Sequence, residues 1–186
     1  LMVHPSPKHV LILGGGDGGS LREVLKHKTV ESATVVEIDP DVVEVSKSFF
    51  PSLSVGLDDP RAKVIYMDGA EFFGDLESAF DVIIIDAPDQ VGSAQTLLAP
   101  EALQAAERAL TSNGILAAQT ESLHFHREFL VEVQRNLQGL FPIVDLYTQA
   151  IATYPGSWWA FSIASKHFKL RSPRRKAKLF TRYYSP

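Results

Sequence analysis

The feature that most constrains the fold is a short apolar run, residues 9–13, that leads directly into Gly14-Gly15-Gly16-Asp17-Gly18-Gly19. A stretch compatible with a helix, residues 20–27, follows it. A buried strand, a glycine-rich turn and a helix in this order form the first unit of open α/β sheets that bind nucleotides. The pattern therefore predicts an α/β fold with a ligand site beside the glycines.

The rest of the chain alternates in the same way. Further strands are predicted at residues 33–38, 64–67, 80–85, 115–118, 143–147 and 158–164, and further helices at 42–50, from 70, 101–110 and 127–140. Continuous apolar strands separated by helices indicate a mostly parallel, seven-stranded sheet with helices on both faces. The link at residues 148–157 is too short for a helical crossover, so the last two strands should form an antiparallel hairpin.

Helical spacing also predicts which side chains form the core. We expect Val42, Val45 and Phe49 of one helix, and Val131 and Leu137 of another, to be buried against the sheet.

Composition excludes several classes of protein. The 186 residues include no cysteine, which rules out disulfides, thiolate metal sites and a cysteine nucleophile. His124 and His126 have the spacing of metal ligands but no third ligand nearby, so we predict no metal site. No apolar run approaches the roughly 18 residues needed to cross a bilayer, and the N-terminus carries no signal pattern. These features predict a cytoplasmic protein without membrane contact.

Charge divides the chain into two parts. Residues 1–165 contain 10 Lys and Arg against 22 Asp and Glu, whereas residues 166–186 contain 8 Lys and Arg and no acid. We predict one domain over 1–165, continued by a solvated basic segment over 166–186, and no binding of nucleic acid. The acidic body should attract cationic partners and repel phosphates.

Acids collect at the predicted carboxyl ends of the strands, where open α/β sheets bind ligands. These positions are Asp17, Glu37, Asp68, Asp86, Asp89 and the neutral Gln119. The surrounding loops, residues 14–21, 37–46, 64–79 and 86–107, contain no Lys or Arg. We therefore expect an anionic crevice that binds a cationic small molecule.

The glycine motif alone has two interpretations. Gly14, Gly16 and Gly19 fit the spacing of a dinucleotide site, and Glu37 stands where a ribose-binding acid belongs. Asp17, however, lies where a diphosphate would rest, and a carboxylate ~4 Å from a phosphate oxygen costs roughly 4 kcal/mol. This disfavours a nicotinamide dehydrogenase and favours an adenosine-type sulfonium compound with a cationic partner. Asp17 as a simple helix cap is the alternative.

Several ordered motifs run along nearly the whole chain. They are His4-Pro5-Ser6-Pro7-Lys8, the glycine loop with Leu21-Arg22-Glu23-Val24, Glu37-Ile38-Asp39, Asp68-Gly69, the run from Phe80 to Asp86, Gln119-Thr120-Glu121 and Thr153-Tyr154-Pro155. Together these motifs resemble the spermidine synthase (polyamine aminopropyltransferase) family.

The resemblance implies a methyltransferase-like Rossmann fold and transfer of an aminopropyl group from decarboxylated S-adenosylmethionine to a di- or polyamine. Putrescine would be the acceptor, with spermidine and 5'-methylthioadenosine as products. No cofactor would be permanently bound, and the protein would be a homo-oligomer, a dimer or tetramer.

The resemblance also implies roles for individual residues. Asp86 corresponds to the proton acceptor, Asp89 and Tyr154 to amine-binding residues, and Asp17 to the contact with the aminopropyl end. Glu37 corresponds to the ribose ligand and Asp68 with Gly69 to the adenine contact, while Gly14, Gly16, Asp86 and Gln119 complete the site for the nucleoside co-substrate.

Two departures from the family pattern bear on these roles. The catalytic loop usually reads Asp-Ser-Ser/Thr-Asp-Pro-x-Gly-Pro, but Gln90 and Ser93 replace the two prolines here, which affects loop geometry and amine choice. The β-rich N-terminal domain of the family is also expected to be missing from this chain. A methyltransferase using S-adenosylmethionine, or a non-catalytic binding or regulatory relative, are the alternatives.

The chemistry makes a demand on Asp86. A neutral amine must attack, yet an alkylammonium resembling lysine is neutral in only about one molecule in 2,500 at pH 7. An ordinary aspartate is too acidic to accept that proton, by roughly 9 kcal/mol. Asp86 can therefore serve as the base only if burial and the like charge of Asp89 raise its pKa, or if the proton is transferred late in the reaction.

Overall fold

The structure is a computed structural model that describes residues 1–87, 96–154, 156 and 158–170. The predicted amine-binding residue Asp89, and residues 171–186 of the basic segment, lie outside this range. The strands are β1 (His9–Gly14), β2 (Ser32–Glu37), β3 (Ala62–Tyr66), β4 (Phe80–Asp86), β5 (Leu110–Ser122), β6 (Ile143–Ala150) and β7 (Trp158–Ser165). The helices are α1 (Gly19–Leu25), α2 (Pro40–Phe49), α3 (Pro51–Ser54), α4 (Gly69–Phe72), α5 (Pro100–Ala109) and α6 (Arg127–Leu140), with a 3₁₀ turn at Val55–Asp58.

The strands form one sheet in the order β3-β2-β1-β4-β5-β7-β6. The first five strands in this order are parallel, and β7 is antiparallel to both β5 and β6. The predicted fold class, a methyltransferase-like Rossmann fold with an antiparallel hairpin at the end, is confirmed. The parallel strands bring their carboxyl ends to a single edge of the sheet, which we call the carboxyl edge.

The strand order reverses between β1 and β4, and this is where open α/β sheets leave a crevice for ligands. Gly14, the last residue of β1, lies directly opposite Asp86, the last residue of β4. The fold thus places the glycine loop beside the predicted catalytic acid.

Both faces of the sheet are covered. Successive side chains of a strand point to opposite faces, and all of Val10 to Leu13 in β1 are fully buried. Leu11 and Leu13 pack in a cluster with residues of α5 and α6, whereas Val10 and Ile12 pack with residues of α1. The near-continuous apolar runs of the sequence are explained by this double cover.

The prediction for the core of α2 was wrong. Val43 is buried, but Val42, Val45 and Phe49 are exposed by 38%, 49% and 74%. Their spacing does place these three residues on one face of α2, but a different face, which includes Val43, packs on the domain. Val42 instead borders the cavity described below. In α6, Leu137 is buried as predicted.

The same error affects one residue of α6, because Val131 is 47% exposed. Sequence patterns also missed α3 and the 3₁₀ turn, and they predicted β5 much shorter than it is.

Within the described residues, no helix is both long and apolar enough to span a membrane.

Candidate active site

Asp86 is the centre of a compact polar cluster at the carboxyl edge. The Ser20 hydroxyl, in the first turn of α1, donates a hydrogen bond to Asp86 Oδ2 at 2.5 Å. Partial burial raises the pKa of Asp86, the Ser20 hydrogen bond lowers it, and the charge of Asp17 raises it, so that the pKa lies above its ordinary value. The direction of the shift and its cause in burial are as expected, but the like charge here is that of Asp17. Asp89, which was expected to supply it, lies outside the described residues.

Glycine is required where the loop meets β4. Gly14 has a φ of +78°, and a Cβ at this position would lie 2.4 Å from the carbonyl oxygen of Asp86. Any side chain would therefore push β1 and β4 apart at the point where the site is built.

Asp17 combines the two roles considered for it. Its Oδ1 accepts a hydrogen bond from the Gly19 N–H at 2.8 Å, so it caps the start of α1. Its charge also acts on Asp86. Capping thus holds a second carboxylate close enough to act on Asp86, where a cation would be attracted and a phosphate repelled.

Glu37, the last residue of β2, is buried and held by the backbone on both sides. Its Oε2 accepts the Gly16 N–H at 3.0 Å, and its Oε1 accepts the Asp39 N–H at 3.1 Å. A Cβ on Gly16 would lie 2.6 Å from Glu37 Oε2, so this carboxylate needs the glycine beside it. A carboxylate offers roughly four acceptor positions, so Glu37 retains capacity for ribose hydroxyls.

Asp68 has a similar arrangement. It caps α4, with its Oδ1 accepting the Ala70 N–H at 2.8 Å. The next residue, Gly69, packs so closely that a Cβ would lie 2.8 Å from Leu97 Cδ2.

A cavity of about 230 Å³ opens at the carboxyl edge between these groups. It is lined by Gly14, Val36, Glu37, Ile38, Asp39, Val42, Asp68, Gly69, Ala87 and Leu97. Apolar side chains line it together with the acids Glu37, Asp39 and Asp68, and no Lys or Arg is among these lining residues. Such a mixture suits a flat nucleoside, with the apolar walls against the base and the acids toward its hydroxyl and amino groups.

Gln119 and Tyr154 lie on the other side of Asp86. Gln119 Nε2 donates to the carbonyl oxygen of Ala87 at 3.1 Å, and Gln119 Oε1 accepts from Trp159 Nε1. The ring of Tyr154, a residue 46% exposed, lies 4.5 Å from that of Trp159. Ala87 connects the two halves of the site because it also lines the cavity.

The structure therefore separates the predicted residues into neighbouring groups. Gly14, Glu37, Asp68 and Gly69 line the cavity, Gly16 supports Glu37, Asp17 and Asp86 form the acidic cluster, and Gln119 and Tyr154 meet at Trp159.

Three contributors were not predicted for the site. They are Ser20, Trp159 and the apolar lining residues such as Leu97. Ser20 follows the glycine loop directly, so its position at a helix start was a usable signal. Among the described residues, no group of three or more His, Cys, Asp or Glu side chains could hold a metal ion.

Comparison with known proteins gives a consistent result. The spermine/spermidine synthase domain family matches residues 1–173. Polyamine aminopropyltransferase 1 of Aquifex aeolicus is 52% identical over 184 residues, covering 99% of this chain and 66% of its own length. The polyamine aminopropyltransferase of Bacillus subtilis is 45% identical over 168 residues, covering 90% of this chain and 61% of its own length.

Solved structures agree. A spermidine synthase in complex with the transition-state analogue AdoDATO superposes with a TM-score of 0.88 at 37% identity, covering 96% of this chain and 64% of that one. Spermidine synthase from Thermotoga maritima gives a TM-score of 0.84 at 36% identity, covering 96% and 63%. The chain thus spans about two thirds of the length of these relatives.

Proposed function

The chain belongs to the spermine/spermidine synthase domain family, and from this premise we propose that it transfers the aminopropyl group of decarboxylated S-adenosylmethionine to a di- or polyamine. The observation that carries the proposal is Asp86, a carboxyl of raised pKa that ends β4 beside a nucleoside-sized cavity. The relatives named above carry the same activity in their names.

The cavity would hold the adenosine part of the co-substrate. Glu37 would accept hydrogen bonds from the ribose hydroxyls, and Asp68 with Gly69 would contact the adenine. The sulfonium and its aminopropyl chain would then extend past Ala87 toward Asp17 and Asp86, where negative charge favours them.

The reaction needs little from the protein besides alignment and a proton acceptor. The amine nitrogen attacks the aminopropyl carbon next to sulfur, a C–N bond forms, and the C–S bond breaks. The sulfur keeps the electron pair and leaves as neutral 5'-methylthioadenosine. The proton lost from nitrogen passes to Asp86, and most of the rate gain comes from holding both reactants in line.

The raised pKa of Asp86 serves this step. A more basic carboxylate is a better proton acceptor, which reduces the mismatch between an acid and an alkylammonium. Partial burial is the main cause of the shift. The packing around β4 would therefore make Asp86 a stronger base.

Finer assignments belong to the same proposal. We assign putrescine as the acceptor, Asp89 and the Tyr154 hydroxyl as its contacts, and a cytoplasmic location. Residues 1–165 would be the catalytic domain, continued by the basic segment 166–186. A homo-oligomer is supported by the exposed apolar residues of α2, and light scattering after size-exclusion chromatography would measure it.

A transfer assay tests the function. The purified chain is incubated with decarboxylated S-adenosylmethionine and each of several diamines, and both products are quantified by chromatography. We expect spermidine and 5'-methylthioadenosine in equal amounts with putrescine, and a loss of roughly 10²- to 10⁴-fold in Asp86→Asn. Methylated amine formed from S-adenosylmethionine, or no product despite nucleoside binding, would contradict the proposal.

A further inference from the structure

We propose that Trp159 is a positioning residue of this site, which acts through Gln119 to hold the backbone just after Asp86. The inference rests on the proposed function. Trp159 lies on β7, is only 4% exposed, and bonds to Gln119, which bonds in turn to Ala87. Within the part of the chain that the structure describes, the Trp159 side chain bonds to Gln119 and packs on Tyr154, so its effect on Asp86 is transmitted.

The pairing of β5 with β7 creates this contact. Gln119 lies opposite Phe161 and Ser122 lies opposite Trp159, so β5 carries one more residue than β7 between these pairs. The irregularity includes Glu121, whose φ is 79°. A bulge of this kind changes the direction of neighbouring side chains, and here Gln119 and Trp159 meet across it.

Hydrogen-bond chemistry permits only one orientation of the Gln119 amide. The indole N–H of Trp159 and the backbone N–H of Glu121 can only donate, and both reach Gln119 Oε1. The carbonyl of Ala87 can only accept, and it faces Nε2 at 3.1 Å. Reversing the amide would set donor against donor or acceptor against acceptor at all three contacts, so these contacts together fix which end of Gln119 faces β4, and the indole supplies one of the two donors to Oε1.

The result extends the sheet by one step where its ladder stops. Backbone pairing of β4 with β5 runs to Ile85 opposite Ala118. The Gln119 side chain then replaces the missing backbone partner and ties Ala87 to β5. Ala87 directly follows Asp86 and also lines the cavity. The bond from Gln119 therefore restrains the backbone on the C-terminal side of Asp86, while the bond from Ser20 restrains the Asp86 side chain.

The same indole supports the proposed amine contact. The Tyr154 ring packs on Trp159 at 4.5 Å with an angle of 41° between the planes. Tyr154 is 46% exposed whereas Trp159 is buried, so the indole provides the rigid surface on which the Tyr154 ring packs. Trp159 therefore contacts both Gln119 and the residue proposed to bind the amine, Tyr154.

The chain has two tryptophans, and this provides a matched pair of variants. Trp159→Phe keeps a ring but removes the N–H, and Trp158→Phe makes the same change at a neighbour that is 48% exposed. The first measurement is NMR: the two indole resonances, assigned with these variants, and the carbonyl carbon resonance of Ala87. In wild type we expect Trp159 to show the more downfield indole proton and exchange at least ~10-fold more slowly.

Loss of the N–H should shift the Ala87 carbonyl resonance in Trp159→Phe but not in Trp158→Phe. The reciprocal change, Gln119→Leu, should move the Trp159 indole proton upfield and leave that of Trp158 in place. These readouts do not require activity, so they test the positioning chain even if the chain transfers no aminopropyl group.

Kinetics add a second readout. In Trp159→Phe we expect kcat for transfer to fall about 10-fold with a smaller change in the KM for decarboxylated S-adenosylmethionine, because Glu37, Asp68 and Gly69, the residues proposed to hold the nucleoside, are unchanged. Trp158→Phe should match wild type. An Ala87 resonance that is the same in both tryptophan variants would overturn the inference, as would equal losses in kcat for the two.

Discussion

At the scale of a single residue, the surroundings of Asp86 set how easily this carboxyl ionises. Partial burial and the charge of Asp17 both oppose ionisation of this carboxyl, and one hydrogen bond from Ser20 favours it. A carboxyl in such surroundings is destabilised whenever it is charged. Its carboxylate is therefore a stronger base than that of an exposed aspartate.

The first prediction concerns stability. A carboxyl whose pKa is higher in the folded than in the unfolded chain contributes stability below its ordinary value of 3.8 and loses it as pH rises through the folded pKa. Asp86→Asn stays neutral, so its melting temperature should exceed that of wild type at pH 7 and approach it at pH 3. Differential scanning calorimetry across this range measures the gap, and a gap that widens toward acid would contradict the raised pKa.

The second prediction isolates the Ser20 hydroxyl. This hydrogen bond favours the charged form of Asp86, so its loss in Ser20→Ala should raise the pKa of Asp86 further. The acidic limb of the kcat/KM profile should then move to higher pH. Ser20→Thr keeps a hydroxyl and serves as the control. A limb in the same place for both variants would show that Ser20 does not tune the acid.

At the scale of elements, the site is assembled from ends: the end of β1, the end of β2, the end of β4 and the starts of α1 and α4. Glu37, Asp17 and Asp68 accept hydrogen bonds from nearby backbone N–H groups, and Asp86 accepts one from the Ser20 hydroxyl. These bonds fix the direction of the acids before any ligand arrives. Glycines make this possible by leaving room between the elements.

The third prediction tests that room. Gly16→Ala would place a Cβ 2.6 Å from Glu37 Oε2, so Glu37 must move, and affinity for 5'-methylthioadenosine should fall about 10-fold. Gly139→Ala is the control, because nothing lies within 4 Å of a Cβ there. It should leave binding unchanged and stabilise α6 by up to ~1 kcal/mol. Titration calorimetry measures the affinity of both variants for 5'-methylthioadenosine, and wild-type affinity in Gly16→Ala would refute the argument.

The fourth prediction tests the packing of α2. Val43 is buried and Phe49 is 74% exposed. Val43→Ala should cost about 2 kcal/mol in the free energy of unfolding, whereas Phe49→Ala should cost less than about 0.5 kcal/mol in the isolated chain. Urea denaturation distinguishes them. A larger cost at Phe49 would mean that this residue is covered in solution.

At the scale of the whole molecule, the sequence predicted most of the architecture because continuous apolar runs and their acidic ends are local signals. It identified Glu37, Asp68 and Asp86 as residues of one site, since parallel strands end at one edge. It could not predict which face of α2 packs, because Val42 and Val43 are both apolar and only tertiary contacts decide between them. Nor could it find the bond of Trp159 to Gln119, which depends on the register of two strands 40 residues apart.

Negative charge is common to the domain as a whole and to its cavity. The domain carries far more acids than bases, and its cavity is lined by carboxylates without a Lys or Arg among the lining residues. Nearby Asp17 and Asp86 extend the same negative field. A ligand with positive charge gains from every one of these groups, and a ligand carrying phosphate or carboxylate at the same place loses.

Titration calorimetry of the purified chain with three adenosine compounds tests this claim most directly. Decarboxylated S-adenosylmethionine, S-adenosylmethionine and NAD share the nucleoside and differ in the charge that they would place near Asp17. We expect the decarboxylated compound to bind at least ~10-fold more tightly than S-adenosylmethionine, and NAD to give no measurable heat. Tighter binding of NAD or of S-adenosylmethionine would contradict the account.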